Sequence, residues 1–239
     1  MLARRQPLLP VRGERTRLAI IGIFQIALCL GISTIGLGYV GAGRAAVLMY
    51  TMQLWVLPLG WMLAGERITP IAMIGAFGIF SGLVLFMNPG LVNWHDSKVL
   101  FGNALLLISA LCWALGACLY RRYQWRTPFW SQAFWQILWS GIVIAMAAPV
   151  LGPHRPVVWN GAVIGVLVYN WLGATALCYA LWGKVLTMMP AWRAGQFLSL
   201  TPVVAVLISS ALTGEALTAS AIVSVCLVAG GICLAAWKK

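Results

Sequence analysis

Eight apolar stretches of about 20 residues follow one another along this 239-residue chain, joined by short connectors. A helix needs roughly 20 apolar residues to cross the hydrocarbon core of a bilayer. The sequence therefore predicts an all-α polytopic membrane protein with eight transmembrane helices and the lipid bilayer as its surroundings. The predicted spans are 18–39, 44–64, 69–87, 100–120, 129–151, 158–184, 191–213 and 217–237.

Composition excludes several other classes of protein. Hydrophobic residues make up 62% of the chain and charged residues 8%, whereas a soluble domain carries about 25% charged residues. The six cysteines lie inside apolar stretches without metal-ligand spacing, so neither a disulfide framework nor a metal or other cofactor is expected. The net charge of +12 arises because only four acidic residues accompany 16 Lys and Arg, and no nucleic-acid partner is expected.

The basic residues indicate an orientation in the membrane. If the N-terminus is cytoplasmic, 13 of the 16 Lys and Arg lie inside and only Arg44, Lys98 and Arg155 lie outside. An excess of Lys and Arg marks the cytoplasmic side of a membrane protein. Because eight spans return the chain to its starting side, the sequence predicts that both termini are cytoplasmic.

A weak internal repeat relates two parts of the chain at one constant offset, which carries Arg44 onto Arg193 and which we call the repeat offset. Matching segments are predicted on opposite sides of the membrane, which is the pattern of an inverted repeat in secondary transporters. The matched residues are Arg44-Ala45 with Arg193-Ala194, Gly65-Glu66 with Gly214-Glu215, Thr69 with Thr218, and Gly82 with Gly231.

These residues resemble a known family. The Gly-Glu turns, the segment 190–195 leading to Ser199-Leu200-Thr201-Pro202, and the closing Ala229-Gly230-Gly231-Ile232 look like the EamA-type permeases of the drug/metabolite transporter superfamily. The resemblance implies two inverted five-helix repeats, cytoplasmic termini, and a place in the plasma membrane, which is the inner membrane in a Gram-negative bacterium. It implies transport of small metabolites and identifies no particular substrate.

The repeat also predicts a domain organisation. Residues 1–17 form a basic cytoplasmic segment, residues 18–87 form a partial first repeat of three helices, and residues 100–237 form a complete second repeat of five. The repeat offset places the counterparts of spans 100–120 and 129–151 before Met1. We therefore expect the first repeat to lack two helices and the 239-residue chain to have low transport activity or none.

Function follows from the resemblance and from the residues in the spans. No catalytic constellation is present, so we expect a transporter of a small organic metabolite or drug and not an enzyme. A non-transporting receptor or assembly subunit, or an inactive transporter fragment, is the alternative. Glu66 and Glu215 lie at span ends, where capping or pairing is expected, and no span contains a carboxylate that could couple transport to protons.

Polar and aromatic residues within the spans are the candidates for a substrate site. Tyr50 and Gln53 lie three residues apart on one helix face, as do Gln196 and Ser199 on the repeat-related span. Hydrogen bonding between helices is the alternative for each of them. The predicted substrate-binding residues are Tyr50, Gln53, Trp113, Tyr169, Asn170, Trp171, Gln196 and Ser199.

Small residues mark positions where helices can approach closely. Gly78 and Gly82 are four residues apart on the third span, and Ala229-Gly230-Gly231 lies on the eighth. Such spacing allows two helix backbones to come into contact. Packing within the chain is therefore predicted at both places, with a homodimer face as the alternative.

Overall fold

The structure is a computed structural model, and it describes residues 9–40, 45, 48–87, 96–151, 159–198, 200–201, 204 and 219–236. Throughout these residues the regular structure is helical, and they contain no β-strand. Four helices are long and apolar enough to cross a membrane, and three shorter helices are also apolar. The prediction of an all-helical, polytopic membrane protein is confirmed.

Each of the eight predicted spans contains a helix within the described part of the chain. Spans 44–64 and 191–213 extend beyond their helices into residues that the structure does not describe. The helices are α1 (Arg15–Leu37), α2 (Met52–Ala64), α3 (Pro70–Met87), α4 (Ser97–Arg122), α5 (Phe129–Leu151), α6 (Gly161–Met188), α7 (Ala191–Leu198) and α8 (Ala219–Ala236).

Local chemistry determines where several of these helices begin and end. The Asp96 side chain accepts the N–H of Lys98 at 2.9 Å before α4, which satisfies an otherwise free donor of the first turn. The Asn160 side chain does the same for Val163 before α6. Gly65 ends α2 with φ 65°, a left-handed conformation that glycine adopts without steric cost.

Two helices contain a wider, π-helical turn at related positions. These turns are Ile23–Leu28 in α1 and Tyr169–Leu177 in α6, and the repeat offset carries 23–28 onto 172–177. The same offset carries the residues of α3, Pro70–Met87, onto residues that are also helical, Ala219–Ala236 of α8. The offset found in the sequence therefore also relates helical segments and π-helical turns in the structure.

Helices α3 and α8 pack through glycines. A Cβ atom added to Gly82 would lie 2.9 Å from the carbonyl oxygen of Ser224, and one added to Gly231 would lie 2.5 Å from that of Gly75. The repeat offset carries the first contact onto the second, so the interface is reciprocal. From Gly75 to Gly82 the residue numbers rise along α3, while those of the contacted residues on α8 fall from Gly231 to Ser224. The two helices are therefore antiparallel. The predicted packing role of Gly82 and Gly231 is confirmed.

The core lies around α4, with α1 along one side of it. A Cβ added to Gly116 of α4 would lie 2.5 Å from Cβ of Gln25, and one added to Gly22 would lie 2.5 Å from the carbonyl oxygen of Gln136 on α5. Ser109 of α4 also donates to the Cys29 carbonyl at 2.6 Å. Glycine thus allows the π-helical part of α1 to lie directly against α4 and α5.

Candidate functional site

A narrow cleft lies between α1, α4, α5 and α6, and its volume of about 10 Å³ has room for about one water molecule. Of its polar lining groups, Gln136 is seven residues from the start of α5 and Tyr179 is nine residues from the end of α6. At about 1.5 Å per residue, these groups are about 10 to 14 Å from the end of the bundle at which α5 begins and α6 ends. They therefore lie close to the middle of a bilayer core of about 30 Å. The lining residues are Gln25, Tyr120, Phe129, Ala133, Gln136, Tyr179, Trp182, Gly183 and Leu186.

A hydrogen-bonded network of three uncharged side chains lies at the inner part of the cleft. The Tyr179 hydroxyl is 2.7 Å from Oε1 of Gln136 and 3.2 Å from Oε1 of Gln25. A phenol has one proton, which is donated over the shorter distance to Gln136. Gln25 and Gln136 are 3% and 2% exposed. Because a buried amide needs partners, this network fixes the side chains that face the cleft.

A second network supports the cleft nearer the end of the bundle at which α4 ends and α5 begins. The Tyr120 hydroxyl donates to Oε1 of Gln132 at 2.7 Å, and the Gln132 amide donates to the Thr127 carbonyl at 2.6 Å. The Trp125 ring stacks on the Tyr120 ring with centroids 5.4 Å apart, and its indole N–H donates to the Tyr120 carbonyl. Tyr120 is thus held on two sides where it forms one wall of the cleft.

The cleft contains polar atoms that remain available to a ligand. Among the described residues, neither Nε2 of Gln25 nor the indole nitrogen of Trp182 has a hydrogen-bond partner, and both atoms are buried. Turning the Gln25 amide over exchanges its oxygen and nitrogen, so one polar atom stays available in either orientation. Unpaired buried polar atoms cost about 1 to 3 kcal/mol each, which a bound solute or water would relieve.

Trp113 is the sequence-predicted site residue that lies beside this cleft. Its ring centroid is 4.8 Å from that of Trp182, which lines the cleft. Trp113 also packs against the main buried apolar cluster. It therefore contributes to the wall behind the lining residues.

Gln53 and Gln196 form a separate buried group between α2, α3 and α7. They are 3% and 1% exposed, and the Gln196 amide donates to the Ala72 carbonyl of α3 at 3.4 Å. A Cβ on Gly195 would lie 3.9 Å from Cγ of Gln53, so the two predicted residues lie on facing helices. They lie outside the cleft lining.

The other predicted site residues lie elsewhere. The side chain of Tyr50 packs against a small apolar cluster of α3 and α8 and hydrogen-bonds to Thr201. Tyr169 and Trp171 are 72% and 66% exposed on α6, and the exposed Asn170 donates to the Val166 carbonyl of its own helix. The structure therefore does not bring these residues to the cleft. The position of Ser199 lies outside the described residues.

Several residues of the cleft were not among the sequence-predicted ones. A signal existed for α5, where Gln132, Gln136 and Ser140 follow one another at intervals of four on a single helix face. All three are buried, at 4%, 2% and 1% exposure. Tyr179 gave no such signal, because a lone tyrosine in a span is equally compatible with the lipid boundary.

Glu66 closes one end of the bundle, which we call the Glu66 end. It consists of the starts of α1, α3, α5 and α7 and the ends of α2, α4 and α6. The Glu66 carboxylate accepts the N–H groups of Ala191 at 2.8 Å and of Trp192 at 3.5 Å, which cap α7. The Nε atom of Arg121 on α4 is 3.7 Å from the same carboxylate. The expected capping and pairing of Glu66 is confirmed.

Glu14 is a second buried carboxylate at the Glu66 end. It accepts the N–H of Arg126 at 2.8 Å and both the N–H and the hydroxyl of Thr127. Burial raises the pKa of Glu14, but these hydrogen bonds, together with the charge of Arg17, lower it by more, so its net pKa is below the ordinary value. Glu14 thus fastens the chain before α1 to the connector between α4 and α5.

Comparison with known proteins identifies the family. The profile of the EamA-like transporter family matches residues 1–88 and 100–237, which is most of the chain. The chain belongs to this family. The resemblance inferred from the Gly-Glu turns and the repeat is therefore confirmed.

Individual EamA relatives agree with this assignment. The uncharacterized transporter YoaV of Bacillus subtilis is 24% identical over 204 residues, covering 85% of this chain and 69% of its own length. A probable amino-acid metabolite efflux pump of Salmonella typhimurium is 23% identical over 199 residues, covering 80% of this chain and 66% of its own. The chain thus spans about two thirds of these relatives. The family and these names point to a membrane transporter and not to an enzyme.

A solved crystal structure has the same fold as this chain. It superimposes with a TM-score of 0.82 on 98% of this chain and 80% of the other, at 18% identity. At that identity the comparison establishes the fold alone.

Proposed function

We propose that this protein moves a small organic solute across the membrane by alternating access and that the cleft between α1, α4, α5 and α6 binds the solute. The buried Tyr179–Gln136–Gln25 network carries this proposal, because it places a spare amide atom and the Trp182 indole N–H near mid-membrane depth. Polar groups are retained at this depth mainly where they serve a function or pair with each other.

Size supports a cycle in which the helices move. Small-molecule sites usually enclose roughly 300 to 1,000 Å³, whereas this cleft has room for only about 10 Å³. A metabolite of ordinary size fits only if the surrounding helices separate. The described arrangement then corresponds to a closed state between two open ones.

Two inverted repeats are the proposed architecture for this movement. The repeat offset relates the π-helical turns of α1 and α6, the helical residues of α3 and α8, and the glycine contacts between α3 and α8. Reciprocal contacts of this kind arise at a two-fold interface. In transporters with inverted repeats, the two halves rock against each other around a central site.

The Glu66 end is the proposed cytoplasmic end, in what would be the plasma membrane. Arg12, Arg15, Arg17, Arg67, Arg121, Arg122, Arg126, Lys184 and Arg193 belong to the helix ends or connectors on this side, and Lys98 lies at the opposite end of α4. Lys and Arg accumulate on the cytoplasmic side. Both termini are then cytoplasmic.

The chemistry of the cleft suggests the class of solute. Its lining side chains are all uncharged, and Tyr120, Phe129 and Trp182 supply aromatic surface. A neutral, zwitterionic or amphipathic metabolite with a polar group for the Gln25 amide fits this lining. Amino-acid metabolites, for which the Salmonella relative is named as a probable efflux pump, belong to this class of solute.

A transport screen tests the proposal. Proteoliposomes with and without the protein are compared for uptake and efflux of a panel of labelled small metabolites. We expect at least one solute to cross only with the protein, at a low rate, and Gln25→Leu to reduce its flux at least fivefold. The matched control Gln124→Leu, in the exposed connector after α4, should leave the flux unchanged. Flux that is indifferent to Gln25→Leu would exclude the cleft as the solute site.

A further inference from the structure

The Glu66 carboxylate joins three parts of the bundle at one point. Glu66 lies in the connector between α2 and α3, it caps α7 through Ala191 and Trp192, and it is paired with Arg121 at the end of α4. Its own N–H is bound to the Gly60 carbonyl at 3.0 Å, which folds the connector back on α2. Glu66 is 9% exposed, so its charge depends on these partners.

These contacts continue to the cleft. The Arg121 guanidinium that pairs with Glu66 also donates to the Leu186 carbonyl of α6 at 3.2 Å. Leu186 and Tyr120, the neighbour of Arg121 in sequence, both line the cleft. Separation of Glu66 from its partners would therefore loosen the wall of the cleft at the Glu66 end.

We propose that Glu66 is a proton-binding latch: ionised, it holds the Glu66 end closed, and on taking up a proton from the water at that end it releases α7 and Arg121 so that the cleft opens. The proton binds to a carboxylate oxygen and leaves by the same route when the end closes. This ligand site lies apart from the solute cleft, and the latch rests on the proposed transport function for its role in a cycle.

Loss of the charge weakens every contact of the carboxylate. A protonated carboxyl has no ion pair with Arg121, and its hydroxyl oxygen is a poorer acceptor for the N–H groups that begin α7. Hydrogen bonds to an ionised group are roughly twice as strong as those between neutral groups. The negative charge also interacts favourably with the positive end of the α7 dipole, and that attraction disappears on protonation.

The surroundings of Glu66 favour its protonated form more than water does. Burial raises the pKa of Glu66 above its ordinary value, while the N–H groups of Ala191 and Trp192 and the charge of Arg121 act in the opposite direction. Cys118 of α4 also faces the carboxylate and interacts with it electrostatically. From α7, the Arg193 guanidinium lies over the Trp192 ring, 5.3 Å from its centroid. On the connector itself, the next residue is Arg67.

Glu14 and Glu66 differ in the direction in which their pKa values are shifted. Both carboxylates are buried at the same end, but the net pKa of Glu14 is lowered. As the pH falls, Glu66 is therefore protonated first, while Glu14 keeps α1 fastened to the connector before α5. The contacts of Glu66 with α7 and Arg121 therefore break while those of Glu14 persist. The connector held by Glu14 acts as the hinge, and α7 is the part that moves.

Pulsed electron paramagnetic resonance on spin labels tests the latch without any solute. Labels are placed at Met62 and Thr187, both exposed, on α2 and α6 near the Glu66 end, in a protein without native cysteines. In lipid nanodiscs both faces share one buffer pH. We expect the label distance to lengthen as the pH falls from 8 to 5, and Glu66→Gln to show the long distance at every pH. Asp96→Asn, which changes a carboxylate at the opposite end of α4, is the matched control and should keep the pH response.

A second variant protects the test against misfolding of Glu66→Gln. Arg121→Gln leaves Glu66 in place and removes the opposite charge, so the midpoint of the distance change should move up by about 1 pH unit, while Arg121→Lys restores it. A purely structural cap would show no midpoint to move. A label distance that is constant from pH 8 to 5 would overturn the latch, as would a pH response that persists unchanged in Glu66→Gln. Absence of transport with an intact distance change would instead count against the proposed function alone.

Discussion

The hydroxyl of Tyr179 on α6 donates a hydrogen bond of 2.7 Å to the side-chain oxygen of Gln136 on α5. This bond joins two helices at about the middle of the membrane, and it leaves Gln25 with hydrogen-bonding capacity of its own. The Tyr179–Gln136–Gln25 network thus keeps one polar atom of Gln25 open to a ligand.

Removing the Tyr179 hydroxyl should destabilise the protein and impair its site. In Tyr179→Phe the buried Gln136 oxygen loses its donor, which should lower stability by about 1 kcal/mol, toward the low end for an unpaired buried group. Thermal unfolding in detergent measures the loss. Tyr39→Phe is the matched control, because Tyr39 is 41% exposed and its ring packs edge-on against Phe101. Equal stability of the two variants would contradict the role given to the Tyr179 bond.

Close packing of α3 and α8 should depend on one glycine and not on its neighbour. Gly231→Ala places a methyl group 2.5 Å from the Gly75 carbonyl oxygen, so the helices must separate at a cost of about 1 to 3 kcal/mol. At Gly230, no atom lies within 4 Å of an added Cβ among the described residues. Gly230→Ala should therefore be neutral or slightly stabilising, since alanine favours a helix.

Size-exclusion chromatography after heating compares these two variants directly. We expect the monodisperse peak of Gly231→Ala to disappear at a lower temperature than that of the unmodified protein, and the peak of Gly230→Ala to be unaffected. If both substitutions behave alike, the glycine contact between α3 and α8 does not exist in the folded protein.

Gln53 should matter more for transport than for insertion. Gln53→Leu removes an amide without removing bulk at a position only 3% exposed, beside Gly195 of α7. Because α7 is the helix that the Glu66 latch releases, a change between α2 and α7 should alter flux in proteoliposomes by more than half. The yield of membrane-inserted protein is measured alongside. A parallel loss of yield and flux would give Gln53 a structural role only.

The helices and their approximate ends were predictable, because a bilayer requires long apolar stretches. The grouping of polar side chains was not. Trp171 corresponds to Gly22 under the repeat offset, but Gly22 packs against Gln136 whereas Trp171 is 66% exposed. A repeat specifies which helices correspond, and only the neighbours present decide which face is covered. The sequence therefore placed Tyr169, Asn170 and Trp171 in a site to which the structure does not bring them.

Residues that act through a contact far along the chain were also beyond prediction. Glu66 was expected to cap or pair near the interface, and it does so with Ala191, 125 residues later. No pattern in the sequence indicated that its partners would bury it. The expected absence of a proton-coupling carboxylate rested on span positions alone, which do not report burial at a helix end.

Glu14 should stabilise the protein at neutral pH and lose this effect in acid. Because the net pKa of Glu14 is lowered in the folded state, its ionised form contributes stability above the unfolded pKa of 4.5, and the contribution is lost as the pH falls through the folded pKa. Glu14→Gln should therefore be about 1 to 2 kcal/mol less stable at pH 7, the range for a lost cap, and the difference should shrink as the pH falls below 4.5 and vanish below the folded pKa. Thermal unfolding at a series of pH values measures this difference.

Asp96→Asn is the control, since Asn caps α4 as well as Asp does, and its stability should match that of the unmodified protein. A deficit of Glu14→Gln that stays constant down to acid pH would show that the charge of Glu14 contributes nothing.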